Sequence, residues 1–196
     1  KERKPFVLFD RYFPDLETNY VVLDNFRGAY DMTAFLIGKG YKHIAFVTIK
    51  QGMNQMQNRK QGFLKAIKDK GKAAVEGLLL ELPYEINAEG NLERLSTFME
   101  ANPQVDALFF ATNYLGIIGI QYALRKNLAI PDDLALVSFD DHDLFRLQKI
   151  RITVVAQPIE KMAAAAIDIL MKLMAGEPAE LMQKVIEPEL LIRDSA

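Results

Sequence analysis

The chain has 196 residues, 50% apolar and 26% charged, enough for one ordinary core or two small ones in globular proportions. A net charge of −2 and a pI near 5.8 leave no basic footprint for nucleic acid, so any action on DNA needs another part of the protein. The absence of cysteine excludes disulfides, thiolate catalysis and zinc fingers, and no apolar run is long enough to span a bilayer. Lys60, Lys65, Lys68, Lys70 and Lys72 crowd one stretch, but Phe63, Ala66 and Ile67 interleave with them at helical spacing, as on a solvated helix face. The lack of cysteine fits a cytoplasmic protein, and Lys1 to Pro5 is nothing like a signal peptide. With no initiator Met and an almost immediate apolar run, the start reads as a fragment boundary.

In chain order, Phe6 to Phe9 and Val21 to Leu23 are apolar runs of strand length. A helix is predicted from about Phe26 to Ile37, with Asp24 and Asn25 as candidate N-caps and Gly38 and Gly40 as stop signals. Ile44 to Val47 follows as a strand, then a helix from about Asn58 to Lys70 that stops at Gly71. Leu78 to Leu80, a helix from about Asn91 to Glu100, Ala107 to Phe110, a helix from about Tyr114 to Lys126, and Leu134 to Val137 continue the alternation. The continuous apolar character of these four runs predicts strands buried on both faces. Ile152 to Val155 is a further strand, and Pro158 opens a helix from about Ile159 to Ala175, ended by Gly176-Glu177-Pro178. Lys184 to Ile186 and Leu190 to Ile192 are short strand-like runs split by Pro188. Strand–helix alternation with short connections predicts an α/β fold with a doubly wound parallel sheet.

In such sheets ligands bind beyond the carboxyl ends of the strands. Thr48 to Gln57 with Arg59, then Pro83-Tyr84-Glu85, Thr112-Asn113-Tyr114 and Asp140-Asp141-His142-Asp143 follow four of them. Guanidinium, amide, carboxylate and aromatic groups on one edge suit a polyhydroxylated ligand: carboxylate and amide pair with hydroxyls, and an aromatic covers a C–H face. Arg59 falls on the apolar stripe of its helix, one turn before Phe63, so it faces a cleft or a carboxylate partner, or else is a solvated first-turn residue. Asn113, Asp140 and Asp141 read equally as helix caps. Adjacent residues rarely converge on one ion, so the Asp-Asp-His-Asp run is a weak metal site. Gly38-Lys39-Gly40 ends a helix where a dinucleotide loop must open one, and no catalytic constellation is present.

Together these residues resemble the LacI/GalR family of bacterial transcription regulators. Pro5 to Arg11, Val21 to Asn25, Gly28-Ala29 and Leu36 to Phe46 match in order. Arg59-Lys60-Gln61-Gly62-Phe63 resembles the family's RxxGF element, and Phe110 to Asn113 its third strand end. Ile130-Pro131-Asp132-Asp133-Leu134-Ala135-Leu136-Val137-Ser138-Phe139-Asp140-Asp141 is the most specific match, and Thr153 to Pro158 and Pro188 to Ser195 complete it. The resemblance implies a periplasmic-binding-protein-like fold (type I), with one complete lobe plus a remnant of the second. The expected boundaries are 27–150 with 183–193 for the C-terminal effector-binding lobe, and 4–26 with 152–176 for the N-terminal remnant. It places the family's effector contacts on Arg59, Asn113 and Asp140, beside the aromatic Tyr84. Tyr114, where the family usually has Asp, and Ile117, where a small residue is common, are departures.

On this reading the chain is the ligand-sensing core of a regulator with no catalytic residue, cofactor or metal. Its partners are a sugar or sugar derivative, a second copy, and DNA only through a helix-turn-helix outside these residues. The apolar, Gly-spaced helix suggests Leu115, Ile118 and Tyr122 at the dimer interface. A sheet remnant with strands missing predicts that the first 25 or so residues are rearranged, swapped between chains or poorly protected. A periplasmic sugar-binding protein and a doubly wound enzyme are the rival classes.

Overall fold

The computed structural model describes residues 4–50, 52–71, 74–84, 87–176 and 181–196. Gln51, Lys72, the strand-end Glu85 and the predicted helix stop at Glu177-Pro178 lie outside the described residues. The chain divides into two units, Lys1–Asp24 with Gln157–Pro188 and Asn25–Ala156 with Glu189–Ala196.

The smaller unit holds β1 (Leu8–Phe9), β2 (Tyr20–Leu23), α6 (Ile159–Met174) and β8 (Gln183–Ile186). β2 is central, with β1 and β8 parallel on either side, and Tyr20 lies opposite both Leu8 and Gln183. α6 packs on β2 and β8 and buries Met162, Ala165 and Ile169, one face of a helix at 3–4 residue spacing. The predicted strand from Phe6 is shorter than expected: only Leu8–Phe9 pairs, and Phe6 and Phe9 are exposed.

The larger unit contains α1 (Asn25–Lys39), β3 (His43–Lys50), α2 (Asn54–Ala66), β4 (Glu76–Pro83), α3 (Ala88–Ala101), β5 (Ala107–Phe110) and α4 (Asn113–Lys126). It continues with β6 (Ala135–Phe139), α5 (Asp143–Leu147), β7 (Thr153–Ala156) and β9 (Glu189–Leu191). The sheet order is β4-β3-β5-β6-β7-β9, parallel except for the antiparallel β9. The chain winds outward from β3 to β4, then returns past β3 to β5, which makes a topological switch point between β3 and β5. The core is aromatic: Phe46 on β3 stacks on Phe63 of α2 and meets Phe109 of β5 edge-on, each pair 5.1 Å apart between centroids.

Local chemistry sets the ends. α1 stops where Gly40 takes φ 99°, the Gly40 amide donates to Ile37 O and the Tyr41 amide to Leu36 O, a Schellman closure. Gly62 lets α2 lie close against α1, because a Cβ there would collide with the Phe26 carbonyl. α2 also starts four residues earlier than predicted and continues as a π-helical turn, Ile67–Gly71. α5 carries no periodic pattern and was not predicted from the sequence.

Three expectations are corrected. β4 is an edge strand, so Leu78 to Leu80 are half-buried and not covered on both faces. The stretch 152–156, expected in the N-terminal remnant, pairs with β6 and belongs to the larger unit. The stretch 183–186, expected with the C-terminal lobe, pairs with β2 in the smaller unit, and only the residues after Pro188 return to the larger sheet. Both errors arise because a short apolar run shows strand character but not its partner.

Candidate functional site

The candidate side chains Arg59, Asn113 and Asp140 gather at the carboxyl edge of the larger sheet. Stacking of Phe63 on Phe46 fixes α2 on β3, and one turn back along α2 this places Arg59 over the strand ends. Arg59 is 2% exposed. Its Nε donates to Asn25 Oδ1 (2.7 Å), and one terminal nitrogen donates to Ala111 O (2.6 Å) and Asp140 Oδ2 (3.0 Å). The guanidinium carbon lies 3.6 Å from the ring centroid of Phe139. A buried cation is thus met by an amide oxygen, a carbonyl, a carboxylate and an aromatic face, each of which offsets lost hydration.

Asp140 is positioned by its backbone. It takes φ 65°, in the left-handed region that Asp tolerates better than most residues, and its amide donates to Val155 O of β7 (2.8 Å). Asp141 turns the other way. Arg193, just past β9, forks onto both of its oxygens at 2.9 and 2.6 Å and also donates to Ile152 O, while Arg146 of α5 and the His142 amide add further bonds. Burial alone would raise the Asp141 carboxyl, but the bonds from Arg193, Arg146 and His142 outweigh it and hold the group at about 2. His142 caps α5, its Nδ1 accepting from the Leu144 amide (3.1 Å).

The structure brings Arg59 and Asp140 into direct contact. Asn113, the first residue of α4, sits beside them and donates Nδ2 to Asp141 O at 3.4 Å. The N-cap position of α4 belongs to Thr112, and neither Asp140 nor Asp141 serves as a cap. Tyr84 follows edge strand β4 and is exposed; among the described residues no hydrogen bond or ring contact joins it to Arg59, Asn113 or Asp140. Leu115, Ile118 and Tyr122, expected at a dimer interface, are at most 6% exposed. α4 lies against α3, β5 and β6, which cover these side chains and leave almost no surface for a partner. Sequence reasoning missed Phe139 beneath Arg59 and the Arg193 clamp, and it took Asn25 for a cap where its oxygen accepts from Arg59. Phe139 was signalled only by its adjacency to Asp140, and nothing in the sequence pairs Arg193 with Asp141.

Residues 33–196 match the family described as the periplasmic binding protein-like domain. The chain belongs to the periplasmic binding protein-like domain family. Similar members include the HTH-type transcriptional regulator RegA of Clostridium saccharobutylicum, 32% identical over 89% of this chain and 52% of its own length. DegA of Bacillus subtilis (strain 168), also an HTH-type transcriptional regulator, is 27% identical over 99% of this chain and 57% of its own. This chain therefore spans about half the length of the curated relatives it matches. Among solved structures of the fold, the complex of the transcriptional regulator CelR with cellobiose superposes with a TM-score of 0.85 at 26% identity, covering 98% of this chain and 59% of that one. A LacI family regulator from Enterococcus faecium with bound ribose gives 0.85 at 20% identity, over 97% of this chain and 70% of that one. The LacI/GalR resemblance read from the sequence holds at the level of family and fold.

The Asp141 cluster makes a pH prediction. The folded-state value of about 2 lies below the ordinary carboxylate value near 3.8, so the stabilisation is complete above about pH 4 and fades as pH falls toward 2. Its size is about 2 kcal/mol on the scale of ~1.4 kcal/mol per pH unit. Urea unfolding should show wild type more stable than Asp141→Asn at pH 5, with the gap closing by that amount near pH 2. A gap that stays constant with pH would contradict the clamp.

Proposed function

We propose that the chain is the effector-sensing core of a LacI-type transcription regulator that binds a small sugar or sugar derivative and so controls DNA binding by a helix-turn-helix outside these 196 residues. The observation that carries this is the Arg59–Asp140 pair at the carboxyl edge of a parallel sheet, with Asn113 alongside. These groups offer donors and acceptors at fixed spacing, which is what a polyol needs. The regulator names of the relatives favour this reading over a periplasmic sugar-binding protein, and the cellobiose bound by CelR supports the sugar class. Control of DNA would be allosteric, the effector favouring one of two arrangements of the whole protein by its differential affinity for them. No catalytic step is assigned. The place of action of such a regulator is the cytoplasm.

The same reading includes a homodimer, with its surface moved from the buried side of α4 to its neighbours. Leu124 and Leu147 (79% exposed) stand out beside an apolar groove of about 360 Å³ lined by Ile120, Leu128, Ile130 and Ile150. An exposed apolar area of this kind suits a two-fold contact. Sedimentation at high micromolar concentration should show a dimer, and Leu147→Asp should weaken it at least tenfold. A wild-type protein that stays monomeric there would overturn the dimer.

The effector assignment is tested with a thermal-shift panel of sugars, cellobiose and D-ribose among them, followed by calorimetric titration of the sugar that binds. Arg59→Ala and Asp140→Ala should each weaken binding by about ten- to a hundred-fold, as expected for loss of a charge-assisted bond of roughly 1.5–3 kcal/mol. Both variants should also melt lower, because each breaks a largely buried pair. Lower melting with unchanged sugar affinity would show that the pair is structural only.

A further inference from the structure

Two buried hydroxyls stand apart from the satisfied groups around them. The Oγ1 atoms of Thr48 and Thr112 are enclosed and have no hydrogen-bond partner, in residues only 2% and 6% exposed. Burying a hydroxyl without a partner is costly, so each such group in a native interior calls for an explanation.

Their positions are informative. Thr48 lies near the carboxyl end of β3, and Thr112 follows β5 by two residues. β3 and β5 are the neighbours that flank the switch point, where the connections leave for opposite sides of the sheet and where open α/β sheets bind their ligands. Thr48 is on the same face as Phe46, two residues further toward that edge, while Arg59 is one turn back from Phe63, the partner of Phe46. The Ala111 carbonyl that accepts from Arg59 immediately precedes Thr112. Thr112 also occupies the N-cap position of α4, yet its hydroxyl makes no cap bond, although Thr is well suited to that role. Its carbonyl is engaged, within 3.2 Å of Ser138 Oγ and 3.0 Å of the Gly116 amide. The Thr112 carbonyl is thus used while its hydroxyl, like that of Thr48, is left over.

We propose that Thr48 and Thr112 are effector-reading residues whose hydroxyls bind hydroxyl groups of the ligand, one from each side of the switch point. This rests on the sugar reading above and extends its site below the Arg59–Asp140 pair. The class of ligand follows from the chemistry. Arg59 is matched by Asp140 and Asp141 by Arg193, so what remains to be satisfied is neutral, and a neutral polyol satisfies it by donating to and accepting from each threonine.

The test uses the shape-matched variants Thr48→Val and Thr112→Val with Thr48→Ser and Thr112→Ser as rescues, in the 196-residue chain. Without sugar, the valine variants should melt at or above the wild-type temperature, because a partnerless hydroxyl has been replaced by a methyl. In calorimetric titration with cellobiose or D-ribose, whichever binds the wild type, each valine variant should lose about tenfold in affinity and each serine variant should retain most of it. A fall of several degrees in the sugar-free valine variants, restored by serine, would overturn the proposal by showing that the hydroxyls are structural. Unchanged sugar affinity in both valine variants would overturn it while leaving the sugar reading intact. If no sugar of the panel binds the wild type, the sugar reading fails and this proposal fails with it.

Discussion

A guanidinium at 2% exposure has lost almost all of its water, and the arrangement of the larger unit follows from what replaces that water. The desolvation of such a cation is worth several kcal/mol, so leaving it unmatched would be prohibitive in a fold of ordinary stability. Four groups from three segments meet the need around Arg59: the amide of Asn25 where α1 begins, the carbonyl of Ala111 past β5, and the ring of Phe139 with the carboxylate of Asp140 after it. Each must be placed within tenths of an ångström. The close packing of α2 on α1 at Gly62 and the left-handed backbone of Asp140 then read as conditions for that placement.

A second set of bonds holds the loop that carries Asp140. Arg193 grips Asp141, its amide donates to Thr153 Oγ1, and the Thr153 amide donates to Ser195 Oγ, whose hydrogen goes to Leu136 O. The last residues are therefore sewn between β6 and β7, with Ser195 fully buried. One carboxylate of the adjacent pair meets Arg59 and the other meets Arg193 and Arg146. That division keeps two like charges from sharing one environment and gives the exposed-edge carboxylate a rigid support.

Much of this was legible in the sequence for a physical reason. Fully buried parallel strands are continuous apolar runs, so β3, β5 and β6 were found where they are, and Arg59 stood out because it interrupts an apolar stripe. The RxxGF element and the Ile130 to Asp141 motif tied the Arg59 and Asp140 positions to a family. What could not be read was partnership. Leu78 to Leu80 look like a central strand but lie at an edge, and 183–186 look like the run after Pro188 yet join a different sheet. Leu115, Ile118 and Tyr122 look like surplus apolar surface, but close approach of α4 at Gly119 to Phe110 draws them inside. The unmatched hydroxyls of Thr48 and Thr112 are invisible in sequence, since satisfaction of a hydrogen bond is a property of three-dimensional neighbours.

The Arg59–Asp140 contact is energetically coupled and not a coincidence of crowding. A double-mutant cycle measures this directly, with urea unfolding of Arg59→Met, Asp140→Asn and the double variant in the sugar-free protein. The expected coupling is at least about 1.5 kcal/mol, because each single change leaves a largely buried group with a partner missing. Additivity within about 0.5 kcal/mol would contradict it and remove the pair from the centre of the site.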